Sequence, residues 1–88
     1  MSDTKRITSS TAFVSSPHIL YSALLTAGTG TASLEVQDST DGTSGTLFAL
    51  TALGNVSVSW RLGKGKRCGT GIYGVLIGTG ASAAVEIE

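Results

Sequence analysis

Three Gly-Thr-Gly steps, at Gly28-Thr29-Gly30, Gly69-Thr70-Gly71 and Gly78-Thr79-Gly80, cut this chain into short runs of alternating apolar and polar residues. Ala32-Ser33-Leu34-Glu35-Val36-Gln37 and Val56-Ser57-Val58-Ser59-Trp60-Arg61 are the clearest of them. Alternation with period two puts one set of side chains on a buried sheet face and the other in water. Glycine supplies the backbone freedom for the turns between such runs. The pattern predicts half-buried antiparallel strands.

Followed along the chain, it predicts six to seven short strands, packed as a small antiparallel β-sandwich or a jelly-roll-like barrel. Residues 1–17 are polar, rich in Ser and Thr, and closed by Ser15-Ser16-Pro17. They read as an extended N-terminal arm with one short edge strand at Ala12-Phe13-Val14, preceding a domain over 18–88. His18–Ala27 fits one face of a short helix or a strand with a bulge near Ser22-Ala23. The strand is favoured because a glycine turn and a clear strand follow. Thr31–Gln37 is a strand with Ala32, Leu34 and Val36 inward, and Asp38–Gly45 is a loop of turn formers. Thr46–Leu53 and Val56–Leu62 are strands joined by a tight turn at Gly54-Asn55, with Val56, Val58, Trp60 and Leu62 inward. Gly63–Arg67 reads as a mobile basic loop. Gly71–Gly78 is a nearly continuous apolar run and reads as a central strand covered on both sides. Ala83–Glu88 ends the pattern with Val85 and Ile87 inward.

Eighty-eight residues make one domain. A chain of this size buries only roughly 60–65% of its unfolded surface, so its stability is marginal without help. One cysteine, Cys68, allows no internal disulfide, and with the single His18 it cannot complete a four-ligand zinc site. Oligomerisation is the remaining aid, and a homo-oligomer, with a trimer favoured, is expected. The six basic and six acidic residues cancel. Without a basic excess a general nucleic-acid binder is not expected. Serine and threonine replace charge on the polar faces, and such surfaces need little desolvation to meet another protein. No apolar run reaches the roughly 18–20 residues that cross a bilayer, so no membrane association is expected. No long apolar segment follows the basic N-terminus, as a secretory signal requires.

The glycine steps do not extend to G-x-G-x-x-G, and Gly63-Lys64-Gly65-Lys66 lacks the spacing and hydroxyl of a Walker loop; they read as turns. Asp38 and Asp41 lack the alternating oxygen ligands of a calcium loop. Serines abound, but a nucleophile needs a base within reach, and His18 reads as an edge residue. The basic residues before Cys68 could lower its thiol pKa, although a partly buried cysteine at a strand start is the simpler reading. No enzyme, cofactor or metal site is expected. The one charge cluster, Arg61, Lys64, Lys66 and Arg67, reads as a solvated loop or a contact for an acidic protein surface, with phosphate or nucleic acid ranked below both because no aromatic platform interleaves with it. Glu86 and Glu88 could complement it on a neighbouring copy. Phe13 and Val14 would dock the arm, on its own domain or on a neighbour.

Two stretches carry a likeness. Thr26-Ala27-Gly28-Thr29-Gly30-Thr31-Ala32-Ser33-Leu34-Glu35-Val36-Gln37-Asp38-Ser39-Thr40-Asp41-Gly42-Thr43 leads through a hairpin to Gly45-Thr46-Leu47-Phe48-Ala49-Leu50. Arg67-Cys68-Gly69-Thr70-Gly71-Ile72-Tyr73-Gly74-Val75-Leu76-Ile77-Gly78-Thr79-Gly80 follows later. Over about residues 18–88 the chain resembles small β-sandwich virion proteins of tailed bacteriophages: capsid decoration (cement) proteins, head fibres and tail adaptors. Gly74 interrupts the family's usual Tyr-Val step and points to a bulge or a close backbone approach. The resemblance implies a virion structural protein, made in the host cytoplasm and placed on the virion. It would bind the major capsid protein, or another virion protein, in many copies. A head-fibre base or tail-adaptor ring is the alternative, and a carbohydrate-binding module ranks below it. The likeness rests on turn and core residues and carries over no catalytic residue. The residues expected to touch partners remain Phe13, Val14, Arg61, Lys64, Lys66 and Arg67.

Overall fold

The computed structural model of the protein describes residues 3–42 and 45–88. Eight strands follow in chain order: β1 (Asp3–Ile7), β2 (Thr11–Val14), β3 (His18–Thr26), β4 (Ala32–Gln37), β5 (Thr46–Ala52), β6 (Ser57–Cys68), β7 (Ile72–Ile77) and β8 (Ser82–Ile87). They form two antiparallel sheets of four, in the orders β1-β8-β3-β6 and β2-β7-β4-β5. The sheets do not close into a barrel, so β1 and β6 are the edges of one and β2 and β5 the edges of the other. Strand 1 pairs with 8, 2 with 7, 3 with 6 and 4 with 5, as in one long hairpin rolled over on itself.

The apolar set of each alternating run meets in one core between the sheets. Leu20, Ala23 and Leu25 of β3 and Val85 and Ile87 of β8 face Leu34 and Val36 of β4 and Ile72 and Leu76 of β7. Each fully buried aliphatic side chain contributes about 1.5–3 kcal/mol, which is how so small a domain offsets its chain entropy. The bulge expected near Ser22 is present: the register of β3 shifts between Leu20 and Ser22 against both neighbours.

Gly74 is where the backbone itself makes room. A Cβ at Gly74 would lie 2.7 Å from both the Phe13 ring and Ile7 Cδ1, closer than real packing permits. The glycine lets two edge strands close one side of the core, Ile7 from β1 and Phe13 from β2.

Five expectations need correcting, the first being Val56, which was expected inward but lies just ahead of β6 and is 44% exposed. The described residues form eight strands rather than six to seven, because residues 3–14 supply an edge strand to each sheet. In β1 only Ile7 is buried, so its charged sequence shows no alternation to read. β7 is not covered on both sides: burial alternates along it, and Ile77 is 64% exposed. Gly63–Arg67 is not a loop but the second half of β6, the longest strand at 12 residues. Trp60 is not buried. It points between the sheets, opposite Ala23, but from an edge strand, and 41% of it stays exposed. Its ring meets Phe48 of β5 edge-on, with centroids 4.0 Å apart.

Candidate functional site

The four cations of the sequence cluster lie along β6, the free edge of its sheet. Arg61 pairs with Ser22, Lys66 with Leu20 and Arg67 with Ile19. Between these registers Leu62-Gly63-Lys64-Gly65 opposes the single residue Tyr21, an unusually large bulge. Gly63 and Gly65 allow it, with φ of 60° and 87°. The Tyr21 ring lies against Gly65, and its hydroxyl donates to Glu88 Oε1 at 3.0 Å. The bulge carries Lys64 outward, and all four cations are exposed. Among the described residues none of them forms an ion pair; the pair that does form is Lys5 with Asp3, at 3.4 Å.

Phe13 and Val14 lie far from this role. Phe13 is 8% exposed and belongs to the chain's own core. Val14 pairs with Ile72 and packs against that core. Of the six residues expected to touch partners, the structure leaves Arg61, Lys64, Lys66 and Arg67 on one accessible edge and turns Phe13 inward.

Next to the basic edge lies an arrangement the sequence did not reveal. Asp38, at the end of β4, accepts hydrogen bonds from three consecutive backbone N–H groups: Gly69 at 3.2 Å, Thr70 at 3.0 Å and Gly71 at 3.4 Å. Consecutive N–H groups of this kind make a nest that binds anions, and here the chain's own carboxylate fills it. The Thr70 N–H foremost, then those of Gly71 and Gly69 and the charge of Lys66, hold the Asp38 carboxyl below its usual value against the effect of burial. Ser39 Oγ accepts from the N–H groups of Asp41 and Gly42, both at 3.1 Å, and fixes the next turn. The Gly-Thr-Gly step over 69–71 is therefore a turn pinned from within. The signal was Asp38 directly after a strand, but its partner lies 31 residues on.

Cys68 ends β6 fully buried. Burial above all, then the Asp38 charge, pushes its thiol up to about 11 despite Lys66, so thiolate is scarce. His18 Nδ1 donates to the Ser16 carbonyl at 2.9 Å. Among the described residues no cluster of three or more His, Cys, Asp or Glu could hold a metal ion, and no helix is long and apolar enough to cross a membrane. The outer face of the β1-β8-β3-β6 sheet carries a shallow concavity of about 330 Å³, lined by Thr4, Ser22, Leu24, Ser59, Arg61 and Glu86 among others. Thr4, Glu86, Ser22 and Arg61 stand in one row across its four strands.

Comparison of the chain with protein-family models, curated proteins and solved structures finds no match in any of the three.

Proposed function

We propose that this chain is a virion structural protein of a tailed phage, a capsid decoration or cement protein that binds the shell in multiple copies. The observation that carries the reading is the β6 edge: four exposed cations without ion pairs among the described residues, on a domain of zero net charge with hydroxyl-rich faces. Such an edge favours encounter with an acidic protein surface, and modest contacts repeated over a lattice become strong through multivalency. The strand order β1-β8-β3-β6 over β2-β7-β4-β5 is that of a jelly roll, an architecture that includes viral capsid domains. That likeness is one of fold and raises the reading by analogy alone.

The test is virion occupancy of Lys64→Glu/Lys66→Glu at low and high salt. The reading expects slower attachment that depends less on salt, with the fold intact, since exposed charges contribute little to stability. Unchanged occupancy at every salt concentration removes the basic edge from the mechanism. A head-fibre base or tail-adaptor ring would use the same edge, and imaging of labelled protein on virions separates the locations.

One observation favours a second reading. Trp60 is 41% exposed and held edge-on by Phe48, the kind of aromatic platform sugars stack on, and lectin domains also use the jelly roll. A glycan-array signal lost in Trp60→Ala and kept in the double lysine variant would support a carbohydrate-binding module.

A further inference from the structure

The four sheet edges are not alike. An exposed edge presents unpaired backbone N–H and C=O groups, and proteins blunt such edges with charge, bulges or shortness. β1 carries Asp3, Lys5 and Arg6. β2 has four residues and a register shift. β6 carries four cations and the bulge opposite Tyr21. β5 is neither short nor charged. Its seven residues, Thr46-Leu47-Phe48-Ala49-Leu50-Thr51-Ala52, hold no charge, no proline and no glycine. Its one register shift lies at its start, where Gln37 meets Thr46. Exposed apolar side chains flank it: Leu53 at 69%, Val56 at 44% and Trp60 at 41%.

From this contrast we infer that β5 is a pairing edge for β5 of a second copy, joined antiparallel about a two-fold axis at Ala49. The strand suits itself as a partner. In that register Ala49 faces its own counterpart, Phe48 faces Leu50 of the other copy, and Leu47 faces Thr51. Along β5 itself no like charges meet, while the β6 cations on the same side of the sandwich oppose the contact and make it tighter at high salt. A two-fold contact of this kind is self-complementary. The joined sheet has eight strands, β2-β7-β4-β5 continued into its mirror order, and Trp60 and Leu53 gain cover from the other copy. The contact is roughly 24 Å long for seven residues and about 20 Å deep for two stacked sheets. It buries roughly 1,000 Å² in all, the lower limit for a specific interface, so a weak, concentration-dependent dimer is expected. A two-fold pair is a homo-oligomer, as size favours, but a dimer rather than the trimer favoured on sequence, and it does not depend on the phage reading.

The experiment is analytical ultracentrifugation of the purified chain from about 1 to 300 μM, with Ala49→Lys as the edge variant. Ala49 is exposed on β5, so the variant keeps the fold, which circular dichroism checks. The expected result is a monomer–dimer equilibrium that Ala49→Lys weakens at least tenfold. Register is read by cysteine trapping. Ala49→Cys places two thiols directly opposite, within the Cα separation a disulfide needs, and should cross-link under mild oxidation. Thr51→Cys faces Leu47 of the other copy and should not. The native Cys68 is fully buried and stays out of the reaction. A chain monomeric at every concentration overturns the inference and leaves the edge to a strand from another protein. Dimers indifferent to Ala49→Lys, or equal cross-linking of both cysteine variants, overturn it too.

Discussion

The two open sides of the core end differently. On one side, β1 and β2 bring Ile7 and Phe13 together over Gly74, and both are buried. On the other, β5 and β6 bring Phe48 and Trp60 together, and neither is fully buried. Both sides use an aromatic residue directed between the sheets. At Phe13 the neighbouring strand β7 gives up a side chain so that the ring seats against backbone. At Trp60 no strand lies beyond the edge to finish the cover. The alternation of a strand therefore decides which way a side chain points, while the strand's place in its sheet decides how far it is buried.

This contrast can be broken by measurement. Phe13→Ala should have the largest effect, a loss of about 3–5 kcal/mol in urea unfolding. A loss under about 1 kcal/mol would show that the N-terminal strands do not close the core. Gly74→Ala comes next, at about 1–3 kcal/mol, because its Cβ must displace the Phe13 ring. Coupling with Phe13→Leu in a double-mutant cycle would sharpen the point, and strict additivity would deny the contact. Trp60→Ala should cost less, about 1–2 kcal/mol for a partly covered ring. In dilute, monomeric protein its fluorescence should be readily quenched by acrylamide; a fully protected, blue emission there would erase the difference between the two sides.

The smallest expected effect lies at Asp38. Its folded carboxyl titrates below the ordinary value of 3.8. The carboxylate thus stabilises the fold above about pH 4, and that contribution fades as pH falls through the lowered folded value. Asp38→Asn should lower stability at neutral pH and flatten the acid limb of the stability curve, with proton uptake on acid unfolding reduced by up to about one. An unaltered acid limb would mean that the nest holds its shape without the charge.

Strand existence was legible wherever burial alternates along the strand, as at residues 32–36 and Ser82–Ile87, although Gln37, read as outward, is buried. It failed at β1, because an edge strand with one buried residue has no period to detect. It failed at Gly63–Arg67, because glycine and lysine read as a loop when the partner strand is not in view. The composition of the basic cluster was visible at once, but its placement on a free edge needed the pairing with β3. The Asp38 nest was hidden because its donors are backbone groups, which leave no mark on a side-chain pattern.

The rolled hairpin also fixes an order in time. Each strand number and its hairpin partner sum to nine, so the sequence separation grows from β4–β5 out to β1–β8. Closing long loops costs entropy before contacts repay it, and sheets of this kind fold in milliseconds to seconds. The order predicts that the β4–β5 pair zips first and that β1 docks last, with φ-values high at Leu34 and Leu50 and near zero at Ile7. High values at Ile7 would reverse it. During synthesis β1 and β2 must therefore wait, unpaired, until β7 and β8 have emerged. The charges of β1 and the shortness of β2 then protect the nascent chain through that interval as well as the finished domain.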